Sequence, residues 1–309
     1  MTKVFIDGKA GTTGLRIYER LGLRRDLQLI TLSEDLRKDT NARAEAINSA
    51  DVVFLCLPDA AAKEAVTLVR NDNTIIIDTS TAHRTSDHWC YGFPELSGQM
   101  GKIKASKRIA NPGCHATGFV SLLAPLLEKG IVSKDAMLSC FSLTGYSGGG
   151  KNMITDYENS ENAQKLLAPR MYGLAQNHKH LPEMMKLCGL DNAPAFCPIV
   201  SSYYAGMEVT VPLFARDIQG SLEDIKKVYS EYYTGKIVQY KDNADEGGFL
   251  SAEALSGRDD LQISVYGNED RILLVSRFDN LGKGASGAAI QNMNIVLGVD
   301  ETTGLNIGG

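Results

Sequence analysis

The sequence predicts an α/β protein with a Rossmann-type, doubly wound parallel sheet, followed by a second domain of the α+β class. Short, continuously apolar strands alternate with helical segments over the first hundred residues, as expected of parallel strands that are buried on both faces. A glycine-rich segment directly follows the first of these strands. Beyond Cys114 the predicted strands are longer and alternate apolar with polar residues, which is typical of a mixed or antiparallel sheet with one covered face.

The predicted elements of the first domain follow one another in a regular order. Strands are predicted over residues 4–7, 27–32, 51–57 and 74–78, and helices over residues 13–21, 40–49 and 60–70. This alternation is typical of a nucleotide-binding sheet with helices on both faces. We therefore assign residues 1–113 to a dinucleotide-binding domain.

The second part of the chain changes pattern after Cys114. Helices are predicted over residues 115–128 and 221–233, and strands over residues 137–143, 208–214, 261–265 and 272–277. Ser221 with Asp224 three residues later is close to a capping-box pattern. We assign residues 114–283 to a catalytic, substrate-binding and oligomerisation domain. A last helix over residues 286–297 lies in a segment, 284–309, that we expect to pack back on the first domain.

Composition excludes several classes of function. The 309-residue chain has a net charge of -5, so it offers no basic surface for nucleic acid. It contains no apolar run of about 18 residues, and we expect no membrane partner. The six cysteines form no CxxC pair and the N-terminus resembles no signal peptide, which together indicate a cytoplasmic protein with reduced thiols. His178, His180 and Cys188 do not have the spacing of a zinc site, and no metal is expected.

A glycine triplet follows the first strand and opens the first helix, in the segment 8–14. Gly8, Gly11 and Gly14, with Thr12 and Thr13, are predicted to hold the pyrophosphate of a dinucleotide. Glycine at these places allows a tight turn and close approach of the backbone to the ligand. The start of the helix adds N–H groups and a favourable dipole.

The residues after the second strand indicate which nicotinamide cofactor is bound. Ser33, Arg37 and Lys38 supply a hydroxyl and two cations that suit the 2′-phosphate of NADP. Glu34 is the residue type that binds the ribose hydroxyls of NAD. We predict that the cofactor is NADP. These residues leave open how strictly the protein selects NADP over NAD.

Cys114 follows Pro112-Gly113, a pair that favours a turn just before a predicted helix. A thiol at a helix N-terminus has its pKa lowered by the dipole, and the resulting thiolate is a nucleophile toward an activated acyl group. A buried, unreactive sulfur at a helix start is the alternative that these residues alone leave open.

Asn111-Pro112-Gly113-Cys114, with Ala-Thr-Gly at 116–118, resembles the active-site motif of the N-acetyl-gamma-glutamyl-phosphate reductases of arginine biosynthesis. Segment 8–14 is similar to the cofactor loop of that family. Other similar segments follow in the family's order along the chain: Asp78-Thr79-Ser80 with Arg84, Tyr91-Gly92-Phe93-Pro94-Glu95, Ser147-Gly148-Gly149-Gly150-Lys151, His178-Lys179-His180-Leu181-Pro182-Glu183, and 280–293. The chain resembles the compact form of the family, with His115 where the longer form usually has an aromatic residue.

The resemblance implies a fold of the semialdehyde-dehydrogenase type and a particular reaction. Cys114 would displace phosphate from N-acetyl-glutamyl 5-phosphate to give a thioester, which NADPH would reduce to the semialdehyde. The proton-transfer group is expected to be a histidine. We prefer His180, because Glu183 could orient its ring, and keep His178 as the alternative. Since alternate residues of an extended segment point in opposite directions, we expect one of the two rings to face the thiol.

The resemblance also implies two sets of binding residues. Those for the substrate are Arg84, Asn111, Ser147, Gly148 and Lys151, and those for the cofactor are Ser80, Asn280, Gly284 and Gln291. A homo-oligomer, either a dimer or a tetramer, is expected. An acyl-phosphate reductase like aspartate-semialdehyde dehydrogenase and a non-catalytic NADP-binding sensor are the alternative functions.

Overall fold

The computed structural model describes residues 1–308, which divide into two compact units. Unit 1 contains Met1–Gly113 and Ala285–Leu305, and unit 2 contains Cys114–Gly284 together with residues 306–308. Each unit has one β-sheet, of six strands in unit 1 and of seven in unit 2.

The strands are numbered in chain order. They are β1 (Thr2–Asp7), β2 (Leu27–Ile30), β3 (Val52–Leu55), β4 (Ile75–Asp78), β5 (Cys90–Tyr91), β6 (Arg108–Ala110), β7 (Ser139–Gly145), β8 (Arg170–Met171), β9 (Ala195–Ser201), β10 (Met207–Phe214), β11 (Val238–Tyr240), β12 (Leu261–Gly267) and β13 (Arg271–Phe278).

The helices are numbered in the same way. They are α1 (Thr12–Leu21), α2 (Thr40–Ser49), α3 (Asp59–Thr67), α4 (Gln99–Ala105), α5 (Cys114–Glu128), α6 (Gly150–Glu158), α7 (Ala163–Leu166), α8 (Leu181–Cys188), α9 (Leu222–Tyr232) and α10 (Gly287–Leu297). A 3-10 turn spans Tyr146–Gly149, and one turn of π-helix spans Gly282–Ser286.

The sheet of unit 1 is parallel throughout, in the order β2-β1-β3-β4-β6-β5. Strand β2 lies on one side of β1 and strand β3 lies on the other, so the strand order reverses at β1. A doubly wound sheet binds its ligand at the carboxyl ends of the strands at such a point. All four residues of β3 are buried, because helices cover both faces. The predicted fold class is confirmed for this unit.

The core of unit 1 includes residues from both ends of the chain. Ala289, Ile290 and Met293 of α10 pack in one apolar cluster with Val4 and Val52 of the sheet. Among the sequence predictions for this unit, the helix over 40–49 has the bounds of α2, and the other helices and strands agree to within a few residues. Elements β5, α4 and β6, which are short, were not predicted.

The sheet of unit 2 is mixed, in the order β11-β12-β13-β10-β7-β9-β8. The central strands β12, β13, β10 and β7 are antiparallel to one another. Strand β11 is parallel to β12 and strand β9 is parallel to β7, whereas β8 is antiparallel to β9. Helix α5 packs closely on this sheet, since a Cβ atom at Gly118 would lie 2.3 Å from the Val209 side chain. The glycine at the end of the cysteine motif therefore serves helix packing.

At the start of α9 the structure agrees with the sequence prediction, and in the glycine segment after β7 it differs. Ser221 and Asp224 form the predicted capping box, each accepting a hydrogen bond from the backbone N–H of the other. Segment 147–151, predicted as a glycine-rich loop, instead forms a 3-10 turn that runs into α6. Helix α8 and strand β9 were not predicted. Within residues 1–308, no helix is long and apolar enough to cross a membrane.

Candidate active site

The glycine segment after β1 in unit 1 is a tight turn with no room for a side chain at Gly8 or at Gly14. Gly8 has a φ of 89°, and a Cβ atom there would lie 2.2 Å from the Cys56 carbonyl oxygen. A Cβ atom at Gly14 would lie 2.5 Å from the Gly8 carbonyl oxygen, while the Gly11 N–H donates to that same oxygen over 3.0 Å. The glycines are required because the backbone folds against itself at the start of α1.

A cavity of about 490 Å³ opens beside this turn. Gly8 and Lys9 line it from the turn, and Glu34, Arg37 and Lys38 line it from the segment after β2. Arg37 forms an ion pair with Glu34, with its Nη1 3.0 Å from Oε2. Neither Ser33 nor the rest of the segment, from Gly11 to Gly14, lines the cavity, and the Ser33 hydroxyl bonds the Asp35 carboxylate instead.

Two further groups at this end of the sheet suit a polar ligand. Arg43 also lines the cavity and donates from Nε and Nη2 to one carboxylate oxygen of Asp7, over 3.1 and 2.9 Å. The Thr12 hydroxyl oxygen is buried at the start of α1 with no hydrogen-bond partner. A buried hydroxyl without a partner is costly, and a phosphate on the helix N-terminus would supply that partner. These residues fit a dinucleotide.

Asp78, at the end of β4, organises the segment that holds Ser80. One carboxylate oxygen of Asp78 accepts from the Ser80 N–H, and the other accepts from the Ser80 hydroxyl over 2.8 Å. The second oxygen also lies 2.6 Å from His83 Nδ1, and the His83 ring stacks on Trp89 at a centroid distance of 4.0 Å. Because Asp78 is fully buried, this carboxylate fixes the turn after β4.

Arg84 and Asn111 are buried and hydrogen-bonded to the backbone of unit 1. The Arg84 guanidinium donates to the carbonyl oxygens of Asn111 and Thr79, each over 2.9 Å. Asn111 Nδ2 donates to the Ala285 carbonyl oxygen over 3.0 Å, and its Oδ1 accepts from Asn292 Nδ2 over 3.2 Å. Both predicted substrate residues thus shape the segment that leads to Cys114.

Gln291 lies in the buried part of α10. Its Nε2 donates to Oε1 of Glu95 over 2.9 Å and to Oε2 of Glu301 over 2.8 Å. The structure therefore places this predicted cofactor residue against the Tyr-Gly-Phe-Pro-Glu segment, where its amide joins two carboxylates.

Cys114 is the first residue of α5, in unit 2, as the turn before it predicts. Gly284, in the π-helical turn, lies against it, since a Cβ atom on Gly284 would approach the Cys114 Cβ to 3.0 Å. Lys283, beside Gly284, is buried. The backbone of Gly284 therefore packs directly against Cys114.

His115, the next residue of α5, is held from both sides of its ring. Nδ1 lies 2.7 Å from the Ser142 hydroxyl and Nε2 lies 2.6 Å from the Tyr172 hydroxyl. Burial is the main cause that lowers the pKa of His115 to about 3, helped by His178 and Lys179. The imidazole is therefore neutral at neutral pH. Burial also raises the pKa of Tyr172, and a charge on Cys114 raises it further.

His178 and His180 both lie next to His115. Their ring centroids are 5.4 and 5.5 Å from the ring centroid of His115 and 4.8 Å from each other. The two rings were predicted to point apart because segment 178–180 was taken as extended, and this prediction is wrong. His180 has φ −88° and ψ −11° and caps α8, so the chain turns there and brings both rings to the same place.

The surroundings of the two histidines differ. Burial, with a contribution from Lys179, lowers the pKa of His178 to about 4. His178 Nδ1 accepts the backbone N–H of His180 over 3.2 Å, so the proton of the neutral ring is on Nε2. His180 is more deeply buried, and Glu183 is buried in the first turn of α8.

Ser147 and Asn280 form a second polar group in unit 2. Asn280 Nδ2 donates to the Ser147 hydroxyl over 3.0 Å, and its Oδ1 accepts from the Gly206 N–H over 2.9 Å. A Cβ atom on Gly148 would lie 3.3 Å from Asn280 Nδ2. Lys151 is exposed on α6. Residues predicted separately for substrate and cofactor therefore meet at one turn.

Ser142, Tyr172 and His115 were not among the site residues predicted from the sequence. Ser142 is 27 residues from His115 in sequence and Tyr172 is 57 residues away. Tyr172 lies in no recognisable motif, so no local signal marks it. The position of His115 directly after the nucleophile was the one available sign.

The sequence matches two families whose descriptions correspond to the two parts of the chain. Residues 22–103 match "Semialdehyde dehydrogenase, NAD binding domain", and residues 114–280 match "Semialdehyde dehydrogenase, dimerisation domain".

Curated relatives are similar over almost the whole chain. N-acetyl-gamma-glutamyl-phosphate reductase 2 of Nostoc sp. is 45% identical, over 98% of this chain and 99% of the relative. N-acetyl-gamma-glutamyl-phosphate reductase of Brucella ovis is 44% identical, over 96% and 99%.

Solved structures share the fold at low sequence identity. Aspartate semialdehyde dehydrogenase from Francisella tularensis has a TM-score of 0.72 and 15% identity, covering 96% of this chain and 100% of that one. Aspartate semialdehyde dehydrogenase from Candida albicans, solved with NADP, has a TM-score of 0.66 and 15% identity, covering 96% and 98%.

Proposed function

The chain belongs to the family of N-acetyl-gamma-glutamyl-phosphate reductases, and from this premise we propose how its own residues carry out the reaction. It is an oxidoreductase that reduces N-acetyl-glutamyl 5-phosphate to the 5-semialdehyde in arginine biosynthesis. The position of Cys114 at the start of α5, with Tyr172 and three histidines close by, is the observation that carries the proposal.

Cys114 acts as the nucleophile. Its thiolate attacks the acyl carbonyl, the bond from carbon to phosphate oxygen breaks, and a thioester forms with release of phosphate. When held at the turn after β1, a nicotinamide cofactor would supply the hydride for reduction of the thioester carbonyl. The resulting oxyanion collapses, the C–S bond breaks, and the aldehyde leaves while the thiolate is restored.

One proton has to be delivered during the cycle, because the phosphate leaves as a basic trianion unless it is protonated. We assign this step to His180, with Glu183 orienting its ring. His178 is assigned to binding the substrate, since its neutral ring carries a proton on Nε2 that can be donated to an oxygen. Asparagine variants of the two histidines test this division: His180→Asn should remove one limb of the pH profile of kcat, and His178→Asn should mainly raise KM.

The anionic substrate is bound by groups from several segments. Ser147 and Gly148 supply a polar turn, and Lys151 supplies a cation for the phosphate or the carboxylate. Arg84 and Asn111 are assigned to the same task, and their bonds to backbone carbonyls support a positioning role within it. Asn280 and Gly284 of unit 2 are assigned to cofactor binding, as are Ser80 and Gln291 of unit 1.

The cofactor is a nicotinamide dinucleotide, and we propose that NADP is preferred over NAD. Gly8, Gly11 and Gly14 shape the pyrophosphate turn, and Thr12 and Thr13 add hydroxyls at the start of α1. Lys38 and Arg37 line the cavity and suit a 2′-phosphate. Ser33 lies in the same segment, but it does not line the cavity and its hydroxyl bonds the Asp35 carboxylate.

The reverse reaction tests the function directly. Purified protein with N-acetylglutamate 5-semialdehyde, phosphate and NADP should generate NADPH, which is followed at its absorbance. Cys114→Ala should lower kcat by at least about 10⁴-fold and leave NADP binding unchanged. Turnover of aspartate semialdehyde in place of the acetylated substrate would contradict the substrate assignment, and NADP binding without any turnover would favour a sensor.

The chain forms a homo-oligomer through its second unit, and we propose that the outer face of the seven-stranded sheet supplies the interface. Phe141 and Leu273 are exposed on adjacent parts of this face, where they pair with Thr210 and Pro212 of β10. Light scattering coupled to gel filtration distinguishes the dimer from the tetramer, and a monomer would contradict the proposal.

A further inference from the structure

We propose that His115 is a positioning residue for the reductase reaction: it fixes the Tyr172 hydroxyl beside Cys114 as a hydrogen-bond donor. The donor would bind the oxyanion that forms on the acyl carbon. This inference rests on the proposed function, and it assigns a task to a histidine that lies next to the nucleophile and is not needed for proton transfer.

The geometry consists of a chain of three side chains inside unit 2. The Ser142 hydroxyl lies 2.7 Å from His115 Nδ1, and His115 Nε2 lies 2.6 Å from the Tyr172 hydroxyl. His115 is 3% exposed, and Ser142 is fully buried. Phe196 contacts the imidazole with a ring centroid 5.3 Å away, so the plane of the ring is fixed by packing as well as by hydrogen bonds.

The donor and acceptor atoms of Ser142, His115 and Tyr172 determine the direction of their hydrogen bonds. A neutral imidazole has one N–H donor and one acceptor nitrogen, while each hydroxyl can donate or accept. Within residues 1–308, the Ser142 hydroxyl has no other partner than His115 Nδ1. Because a buried hydroxyl proton left without an acceptor is costly, Ser142 donates to Nδ1. The imidazole proton is then on Nε2 and is donated to the Tyr172 oxygen.

This direction leaves the phenol proton of Tyr172 available for another acceptor. Burial lowers the pKa of His115 to about 3, so the ring does not take up a second proton and reverse the bond to Ser142 at neutral pH. The pKa of Tyr172 is raised by burial and by the charge of Cys114, so the phenol stays protonated while the thiolate is present. The hydroxyl can therefore donate to an oxyanion next to the sulfur.

The place of His115 in the sequence strengthens the coupling. Cys114 and His115 are consecutive residues at the start of α5, so the nucleophile and the residue that holds the phenol move together. A shift of the phenol by about 1 Å from its productive position can lower a rate by about 100-fold.

Three substitutions of His115 separate positioning from a simple loss of packing. His115→Phe keeps a ring and removes both hydrogen bonds. His115→Gln places an amide nitrogen near the position of Nε2, and His115→Asn places one near Nδ1. We expect His115→Phe to lower kcat by about 10- to 100-fold with little change in KM, His115→Gln to recover most of the loss, and His115→Asn to recover little. A wild-type kcat for His115→Phe would overturn the proposal.

Tyr172→Phe completes a double-mutant cycle. If His115 acts through the phenol, the double variant His115→Phe/Tyr172→Phe should be no slower than Tyr172→Phe alone. Losses that multiply would show that His115 acts in another way and would overturn the proposal. The pH profile of kcat/KM should keep its shape in His115→Phe, because His115 does not titrate near neutral pH.

Two control variants address general damage to the protein. His88→Phe makes the same exchange at an exposed histidine and should leave kcat unchanged. Ser121→Ala removes a buried bond on the same helix, from the Ser121 hydroxyl to the Gly118 carbonyl oxygen. If Ser121→Ala lowers thermal stability as much as His115→Phe but keeps its kcat, the loss in His115→Phe is not caused by instability.

A spectroscopic measurement tests the hydrogen-bond chain without turnover. The ¹⁵N resonances of His115 in the intact protein should show a neutral ring with its proton on Nε2 from pH 5 to pH 8. A proton on Nδ1, or titration of the ring within this range, would overturn the proposal. If the wild type has no reductase activity, the proposed function fails first, and the nitrogen spectrum still decides whether His115 holds Tyr172 in this way.

Discussion

The two units provide their functional groups in opposite ways. Unit 1 has a turn in which side chains are left out, since Cβ atoms at Gly8 and Gly14 would meet backbone oxygens at 2.2 and 2.5 Å. Unit 2 has a set of side chains whose polar atoms contact one another, with His115 bonded to Ser142 and Tyr172. The cofactor turn is thus sensitive to added atoms, whereas the thiol site is sensitive to removed ones.

This difference explains why one site is visible in the sequence as a local pattern and the other is not. A backbone turn needs its glycines within a few residues, so the motif is contiguous. Side chains that contact one another in space can come from distant parts of the chain, and they carry no fixed spacing. Added atoms should therefore damage the cofactor turn, and removed atoms should damage the thiol site.

The largest effect is expected from adding one methyl group to the cofactor turn. Gly8→Ala forces a residue with φ 89° to carry a Cβ atom against the Cys56 carbonyl, so the turn has to shift. We expect NADP binding, measured by calorimetry, to weaken by more than about 100-fold, while alkylation of Cys114 by iodoacetamide keeps its rate. Normal NADP affinity in Gly8→Ala would show that the turn does not contact the cofactor.

Acidification is expected to affect the thiol site next. The pKa of His115 is about 3 in the folded protein and 6.5 ordinarily, so the unfolded chain binds more protons between these values. Its contribution to stability is complete above pH 6.5 and is lost as the pH falls toward 3. Between pH 6.5 and 4 we expect His115 to lower the free energy of unfolding by at most about 3 kcal/mol.

Urea denaturation at a series of pH values measures this effect. The slope of stability against pH below 6.5 should be smaller in His115→Phe than in the wild type. Part of the slope should remain, because His178 also has a lowered pKa, of about 4. Equal slopes in the two proteins would mean that His115 takes up a proton as readily in the folded state as in the unfolded chain.

A smaller effect is expected at the edge of the cofactor cavity. Lys38→Ala removes a cation, while Arg37 remains paired with Glu34. Since a hydrogen bond to a charged group contributes about 1.5 to 3 kcal/mol, we expect the Kd of NADP to rise about tenfold or more and that of NAD to stay the same. Lys63→Ala, at an exposed lysine of the same unit, is the matched control. An equal loss of affinity for both cofactors would argue against a 2′-phosphate contact.

The smallest effect is expected outside both sites. Ser221→Ala removes the side chain that caps α9 and accepts the Asp224 N–H. We expect the free energy of unfolding to fall by about 1 kcal/mol, with kcat and the Kd of NADP unchanged. A loss of activity in this variant would show that the two sites are coupled to the stability of α9.

The parallel sheet and the position of Cys114 at a helix start could be predicted from the sequence, because both depend on local patterns of residues. Apolar runs as short as 52–55 are typical of buried strands, and Pro112-Gly113 marks the turn before α5. The short strand β5 and the helix α8 have too few residues for a period to be recognised. Strand β9 contains Pro198, a residue that argues against a strand in sequence analysis.

The candidate site was predictable in its residue types and much less in its contacts. His178 and His180 were expected to point apart, and a turn at His180 brings them together. Asn280 and Ser147 were assigned to different ligands, although they bond each other. No sequence rule predicts a pair 133 residues apart, because their contact depends on the whole sheet of unit 2.

Helix α10 has a consequence for how the protein folds during synthesis. The ribosome completes β1 to β6 first, yet the apolar cluster of this sheet includes Ala289, Ile290 and Met293. Arg20 also bonds the carbonyl oxygen of Gly304, 284 residues further along the chain. The N-terminal sheet therefore has to wait, with part of its apolar surface uncovered, until the last helix leaves the ribosome. A chain that stalls before α10 contains the strands of both sheets but leaves part of the apolar surface of unit 1 uncovered, which makes the nascent protein a substrate for chaperones until translation ends.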